Sequence, residues 1–208
     1  MRKGRKILVI IIAIILAIVI GIVTVYFISF KPKTPTIPVT TNIQINELDL
    51  VKKFIPTDVD LNFKGISVTS DTSFSSEELT NLGIYAINQS PEAKKYVTGL
   101  KVSVEGKDIV IYVTTKYKEI PFEIKLIFKP YAKDGMGIFH YVSGNIGFIQ
   151  IPKDIIFDKL SNNSLIQFNK TNGDILLHFA KINEIKIENI YTKEDNINII
   201  FKGSVNFF

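Results

Sequence analysis

The chain reads as an α+β protein: one N-terminal transmembrane helix, then an antiparallel, meandering curved sheet packed by one main helix and a short second helix. Three observations predict this. Residues 7–30 contain no charged side chain, a capped helix begins at Ser75, and from Val97 onward the apolar pattern changes from the helical period to strict alternation broken by turn residues. Helices gathered early and strands joined by tight turns afterwards are the pattern of an α+β domain.

Between Ile7 and Phe30 only Gly21, Thr24, Tyr26 and Ser29 depart from Ile, Val, Leu, Ala and Phe. As a helix this stretch measures about 36 Å, enough to cross a hydrocarbon core of ~30 Å with some tilt. Arg2, Lys3, Arg5 and Lys6 precede it and only Lys31 and Lys33 follow closely. The positive-inside bias therefore predicts residues 1–6 in the cytoplasm, 7–30 across the cell membrane and the remainder outside. The run is about twice the core of a signal peptide and lacks a small-x-small cleavage site, which favours a retained anchor over a cleaved leader. With no cysteine in the chain, disulfides, a lipoprotein anchor, thiolate metal sites and a cysteine nucleophile are excluded. Of the 25 Lys and Arg, four precede the apolar run, whereas all 20 Asp and Glu follow it, so the exterior part carries only +1 of the chain's +5. Nucleic-acid binding needs clustered positive excess, and no nucleic-acid partner is expected.

Residues 31–42 are rich in Pro and Thr and predict an extended spacer. Residues 43–208 have the size of one extracytoplasmic domain. Within it, Asn46 is suited to cap a short helix carrying Leu50, Val51 and Phe54, stopped by Pro56. Val59, Leu61 and Phe63 alternate as a strand continued by Ile66 and Val68. Ser75 with Glu78 makes a capping box, Phe74 and Leu79 a hydrophobic staple, and Leu79, Leu82, Gly83, Ala86 and Ile87 one side of the main helix. Pro91 ends or kinks it. Leu100, Val102 and Val104 pair with 109–115 across Glu105-Gly106-Lys107-Asp108. Phe122, Ile124, Leu126 and Phe128 form the next apolar row, which ends at Pro130; Lys133-Asp134-Gly135 turns into 137–142, extended by 145–151 after Gly144. Pro152 opens the short second helix, with Ile155, Ile156 and Leu160 inward. Two hairpins finish the chain, 165–168 with 175–179 and 184–191 with 197–207.

Three stretches carry a family likeness. Phe74-Ser-Ser-Glu-Glu-Leu-Thr-Asn-Leu82, the strand opened by Ile120-Pro121-Phe122 and closed by Phe128-Lys-Pro130, and Gly147-Phe-Ile-Gln-Ile-Pro152 before a helix resemble the YpmS-like single-pass proteins of Gram-positive bacteria. The likeness covers most of residues 74–205 and implies a membrane-anchored extracytoplasmic domain. Its motifs are a capped helix, a Pro-bounded strand and a Gly-to-Pro strand, none of them chemically specific. The implied shape, a long helix on a curved sheet, is similar to tubular lipid-binding domains, an analogy of fold.

Residues that carry chemistry are sparse. His140 and His178 lie in predicted strands without carboxylates at ligand spacing. Ser143 and Ser164 lack the Gly-x-Ser-x-Gly elbow, and neither common glycine-rich nucleotide cradle occurs. Asp58, Asp60 and Asp71, or Glu194 with Asp195, are of the type that flanks a glycosidic bond or holds a cation, but turns attract such residues for backbone reasons alone, and that is the expected reading. No catalytic residue, metal or cofactor is expected. The apolar inventory, 15 Phe and 8 Tyr without Trp, is the richer signal. Leu82 and Ala86 on the main helix, facing Phe122, Ile124, Leu126 and Phe128, either line an apolar groove or fill a dry core. The expectation is a non-enzymatic envelope protein that binds or transfers a lipid or other apolar component in that groove. The alternative is an accessory protein–protein interaction module of cell-envelope or sporulation machinery.

Overall fold

The computed structural model describes residues 2–62, 65–158, 160, 162, 166–177 and 185–206. Helix α1 (Arg2–Val25) runs into one π-helical turn, Tyr26–Phe30, closed by the Lys31 N–H on the Tyr26 carbonyl at 3.0 Å. Its large apolar side chains from Ile7 to Val25 are exposed instead of packed on protein. The helix is long and apolar enough to cross a membrane.

In chain order there follow β1 (Ile37–Pro38), α2 (Glu47–Lys53), β2 (Asp58–Asn62), β3 (Gly65–Ser75), α3 (Ser76–Asn88), α4 (Pro91–Tyr96), β4 (Val97–Glu105) and β5 (Asp108–Tyr117). After them come β6 (Ile120–Lys133), β7 (Met136–Ile146), β8 (Ile149–Gln150), α5 (Lys153–Phe157), β9 (Ile166–Asn169), β10 (Asp174–Leu177), β11 (Ile185–Lys193) and β12 (Asn196–Asn206). Among the described residues the strands form two open antiparallel sheets where the pattern predicted one. The eight-stranded sheet has the order β1-β4-β5-β6-β7-β10-β9, with β8 folded back on β7; the four-stranded sheet has the order β11-β12-β3-β2. Alternation shows that one face of each strand is buried but not against what. Here the answer is largely sheet on sheet: Ile187, Ile190, Ile197, Ile199, Phe201 and Phe74 join Leu100, Val102 and Ile109 in one core.

The capping box forms as the sequence predicts: Ser75 Oγ accepts from the Glu78 N–H at 3.1 Å, and the Glu78 carboxylate accepts from the Ser75 N–H at 2.9 Å. The face of α3 differs. Thr80 and Ile84 are buried and Leu79, Leu82 and Ile87 half-buried, whereas Ala86 is exposed. A Cβ at Gly83 would come within 2.5 Å of the Leu100 side chain, so α3 lies close on β4 along its Thr80, Gly83 and Ile84 side. That rotation turns Ala86 outward.

Thr80 also explains how a hydroxyl is buried here. Its Oγ1 donates to the Ser76 carbonyl at 2.7 Å and accepts from the Val102 N–H at 2.9 Å, while Ser76 Oγ accepts from the Val104 N–H at 3.0 Å and donates to the Asp195 carbonyl at 3.0 Å. Two side chains of one helix thus satisfy the outward groups of β4, where β1 covers only Gly99 and Leu100.

Several boundaries shift for local reasons. Val59 sits opposite Val68, so the stretch expected as one strand is the β2–β3 hairpin. Strand β6 continues through Pro130, which lies beyond the Phe128–Ile109 pair where β5 ends; one side of β6 is then an edge that tolerates a missing N–H. Strand β7 itself runs on to Ile146, and Gly147, at φ +58, then turns the chain back, so that 145–151 extends the sheet as expected, with β8 paired on β7. In α5 the buried residue is Phe157, Ile156 is half-buried and Ile155 is exposed, correcting the inward assignment of Ile155. Phe63, Leu165, His178, Phe179, Glu184 and Phe207, assigned to strands by pattern, lie outside the described residues.

Candidate functional site

The spacer stretch is built into the domain. Glu123 on β6 accepts from the backbone N–H groups of Lys33 and Thr34 at 3.1 and 2.7 Å, and the hydroxyls of Thr36 and Thr114 lie 2.9 Å apart. Ile37 and Pro38 then pair with Leu100 and Gly99, and buried Val39 is held between the Thr98 carbonyl and the Asn88 amide. Residues 33–39 therefore form a strap across β6, β5 and β4. At its α1 end, Tyr26 donates to the Pro121 carbonyl at 3.0 Å, and Phe30 packs edge-on against Phe122 and Phe148.

This arrangement separates the residues the sequence grouped as one groove. Helix α3 packs chiefly on β4, with smaller contacts to α4 and β3, and β5 stands between β4 and β6. Leu82 joins the core and lines a cleft of about 240 Å³ with Ile45, Leu50, Asn46, Lys53, Glu78 and Asn81, of mixed character. Phe122 belongs to the junction with the end of α1, its ring 6.0 Å from that of Tyr26. Phe128 is buried against Tyr141, which stacks in turn on Phe157 of α5. Ile124 and Leu126 are half-buried between these ends. With Ala86 in solvent, the six residues do not converge on one surface.

A different apolar concavity is present on the four-stranded sheet. A cleft of about 280 Å³ is lined by Phe54, Pro56, Val68, Thr69, Ser70, Ile185, Phe201 and Gly203, with no charged side chain. Its floor follows from register. Val68, Gly203 and Ile185 stand opposite one another across β3, β12 and β11, and the side-chain-free middle position leaves a notch between two half-buried apolar neighbours. Phe54 closes one wall, its ring 5.2 Å from Phe201 and 6.4 Å from Phe74. The polar groups nearby are occupied: Thr72 Oγ1 donates to the Lys53 carbonyl at 2.8 Å, and Ser70 Oγ lies within reach of the Lys53 and Ile55 carbonyls. These bonds satisfy the end of α2 and fix Phe54 over the sheet. The sequence signal for this cleft was Gly203 within an otherwise apolar alternation, which reads only as a weak point in a strand until its neighbours are known.

Among the described residues the titratable groups make no catalytic constellation. Nδ1 of His140 lies 2.7 Å from the buried Asp174 carboxylate, and among the described residues no third partner of nucleophilic type is bonded to either. Burial pushes the phenols of Tyr141 and Tyr131 up, in Tyr131 with help from the Asp174 charge. Burial alone would raise the Glu78 carboxyl, but the hydrogen bonds from Lys53 and the Ser75 backbone outweigh it and hold the group below the usual carboxylate value. Among the described residues there is no cluster of three metal-ligating side chains.

No family model matches the chain, and no curated protein or solved structure matches it either.

Proposed function

We propose that the protein is a single-pass, non-enzymatic protein of the cell envelope. Residues 1–6 are cytoplasmic, α1 is the anchor, and the domain stands outside, where it holds the apolar part of a lipid or a similarly apolar envelope component. The observation that carries the ligand reading is the cleft over Gly203, mostly apolar and without a charged side chain, in which the Ser70 hydroxyl is taken up by the Lys53 and Ile55 carbonyls. Its volume lies just below the ~300–1,000 Å³ of typical small-molecule sites, which fits one chain end better than a whole two-chain lipid. Support for the anchor comes from the exposed apolar surface of α1 and from four basic residues on its N-terminal side. The resemblance to YpmS-like proteins agrees with this address.

The full chain in lipid nanodiscs containing a phospholipid with a photoreactive acyl chain tests the reading. On irradiation, adducts are expected on peptides containing Val68 and Phe201 and are lost in Gly203→Leu, which fills the notch. Adducts confined to α1 in the unmodified chain would refute ligand binding in the cleft. A second reading, a protein–protein interaction module, is favoured by β2: it is the outer strand of its sheet, and Val59 and Leu61 on it are exposed. An apolar edge of this kind accepts an added strand.

A further inference from the structure

The point where α1 ends is tied to two turns of the domain. Tyr26 in the last helical turn bonds the Pro121 carbonyl beside the β5–β6 turn, and the Phe30 ring lies 5.1 Å from that of Phe148 in the β7–β8 turn. Gly147 in the second turn sits so near the helix end that a Cβ there would lie 2.5 Å from the Ser29 carbonyl oxygen. Both turns therefore lie at the depth where the helix leaves the bilayer. Their side chains suit that depth: Tyr117 (66 % exposed), Ile120 (47 %), Phe148 (68 %) and Ile149 (52 %) are large, apolar or aromatic, and open. Tyr117 and Ile120 are cross-strand partners and so share a face. Lysines rim them, with Lys118 Nζ over the Tyr117 ring and Lys31 Nζ over the Phe27 ring. Aromatic rings and snorkelling lysines together are the composition of a membrane–water interface.

We infer that the β5–β6 and β7–β8 turns are seated in the interfacial layer of the bilayer that α1 crosses, with Tyr117, Ile120, Phe148 and Ile149 among the headgroups. The domain then rests on the lipid surface instead of standing off it. The occupant of this surface is lipid because the patch is continuous with the helix exit, and any other partner would have to displace the bilayer already there. The inference rests on α1 being a membrane span.

The chain has no cysteine, so single thiols report without background. Ile14→Cys, Lys118→Cys, Ile149→Cys and Lys107→Cys in the full chain would each carry an environment-sensitive fluorophore in vesicles containing a lipid with a nitroxide near its headgroup. Blue-shifted emission is expected at positions 14, 118 and 149, quenched by the headgroup nitroxide at 118 and 149, and water-like emission at 107 in the distant β4–β5 turn. Adding Phe148→Asp to the Lys118→Cys chain should reduce the quenching. Water-like emission at 118 and 149 with a lipid-buried Ile14→Cys label would overturn the seating alone. A water-like label at position 14 would overturn the anchor and the seating together, and quenching at 107 as strong as at 118 would overturn seating by these two turns.

Discussion

The two ends of the β5–β6–β7 meander are built from the same hairpin geometry and carry opposite chemistry. At the end packed against the four-stranded sheet, the turns read Glu105-Gly106-Lys107-Asp108 and Lys133-Asp134-Gly135, polar residues whose left-handed positions are Gly106 at +63°, Asp134 at 54° and Gly135 at +77°. At the end joined to α1, the β5–β6 turn places Lys118 at φ 45° and Glu119 at φ 65° with no glycine, and it is flanked by exposed Tyr117 and Ile120. The left-handed backbone is carried by Gly and Asp at one end and by Lys and Glu in the β5–β6 turn at the other. The comparison teaches that a tight hairpin imposes the left-handed backbone whatever residues occupy it, so that residue type sets only the strain; the exposed β11–β12 turn holds Glu194 at φ 50° and Asp195 at φ 61° in the same way.

The largest expected contrast is in the cores. Ile187, almost fully buried between the sheets at the far end, should cost about 2–5 kcal/mol on truncation to Ala, read as a lower urea midpoint. Phe148→Ala at the near end should change the midpoint by no more than about 0.5 kcal/mol, as surface substitutions do. A comparable loss at both would erase the distinction. The strap comes next: Glu123→Ala removes the acceptor for two backbone N–H groups, with an expected loss of about 1–2 kcal/mol and faster tryptic cutting after Lys33. Unchanged cutting would show that the strap does not depend on Glu123. Smaller still, and opposite in sign, Glu119→Gly should raise stability by about 1 kcal/mol, because glycine accepts the left-handed conformation without strain.

The smallest effect is electrostatic. Because the Glu78 carboxyl is held below its ordinary value in the folded chain, its contribution is complete above the unfolded carboxyl value of ~4.3 and is lost as pH falls through the lower folded value. Its ion pair with Lys53 is partly exposed, so the contribution should stay under about 1 kcal/mol. Glu78→Gln keeps a capping acceptor and should flatten stability against pH in that acidic window, measured by urea titration at stepped pH. An unchanged slope would assign the acid sensitivity to other carboxylates.

Much of this architecture was legible locally. Ser75 and Glu78 announced α3, Asp134-Gly135 announced a hairpin, and the alternating rows announced β4 to β7, because capping, turn geometry and pleat act over a few residues. What failed was non-local. The pairing of Ile37 and Pro38 with β4 has no signature in a Pro/Thr-rich stretch, since its partners lie about sixty residues away. Ala86 and Ile84 are both compatible with an apolar helix face until Gly83 meets Leu100 and selects the rotation. The row from Phe122 to Phe128 is regular in sequence, but its ends are claimed by different neighbours, Tyr26 at one and Tyr141 at the other. The cleft over Gly203 depended on three strands coming into register, which no single segment encodes.

The hydroxyls of Ser76 and Thr80 acquire a further meaning once copies of this chain share a bilayer. Tethering confines neighbours to a plane, holds them at one height and aligns their sheets, the conditions under which an uncovered β4 would recruit the β4 of the next molecule and begin a filament along the surface. Because the outward N–H groups of Val102 and Val104 are already bonded within their own chain, such in-plane polymerisation finds no template at that edge. Thr80→Val keeps the helix packing shape but leaves the Val102 N–H without its acceptor, so it should cost about 1–3 kcal/mol in dilute solution and open this two-dimensional hazard on a surface as well.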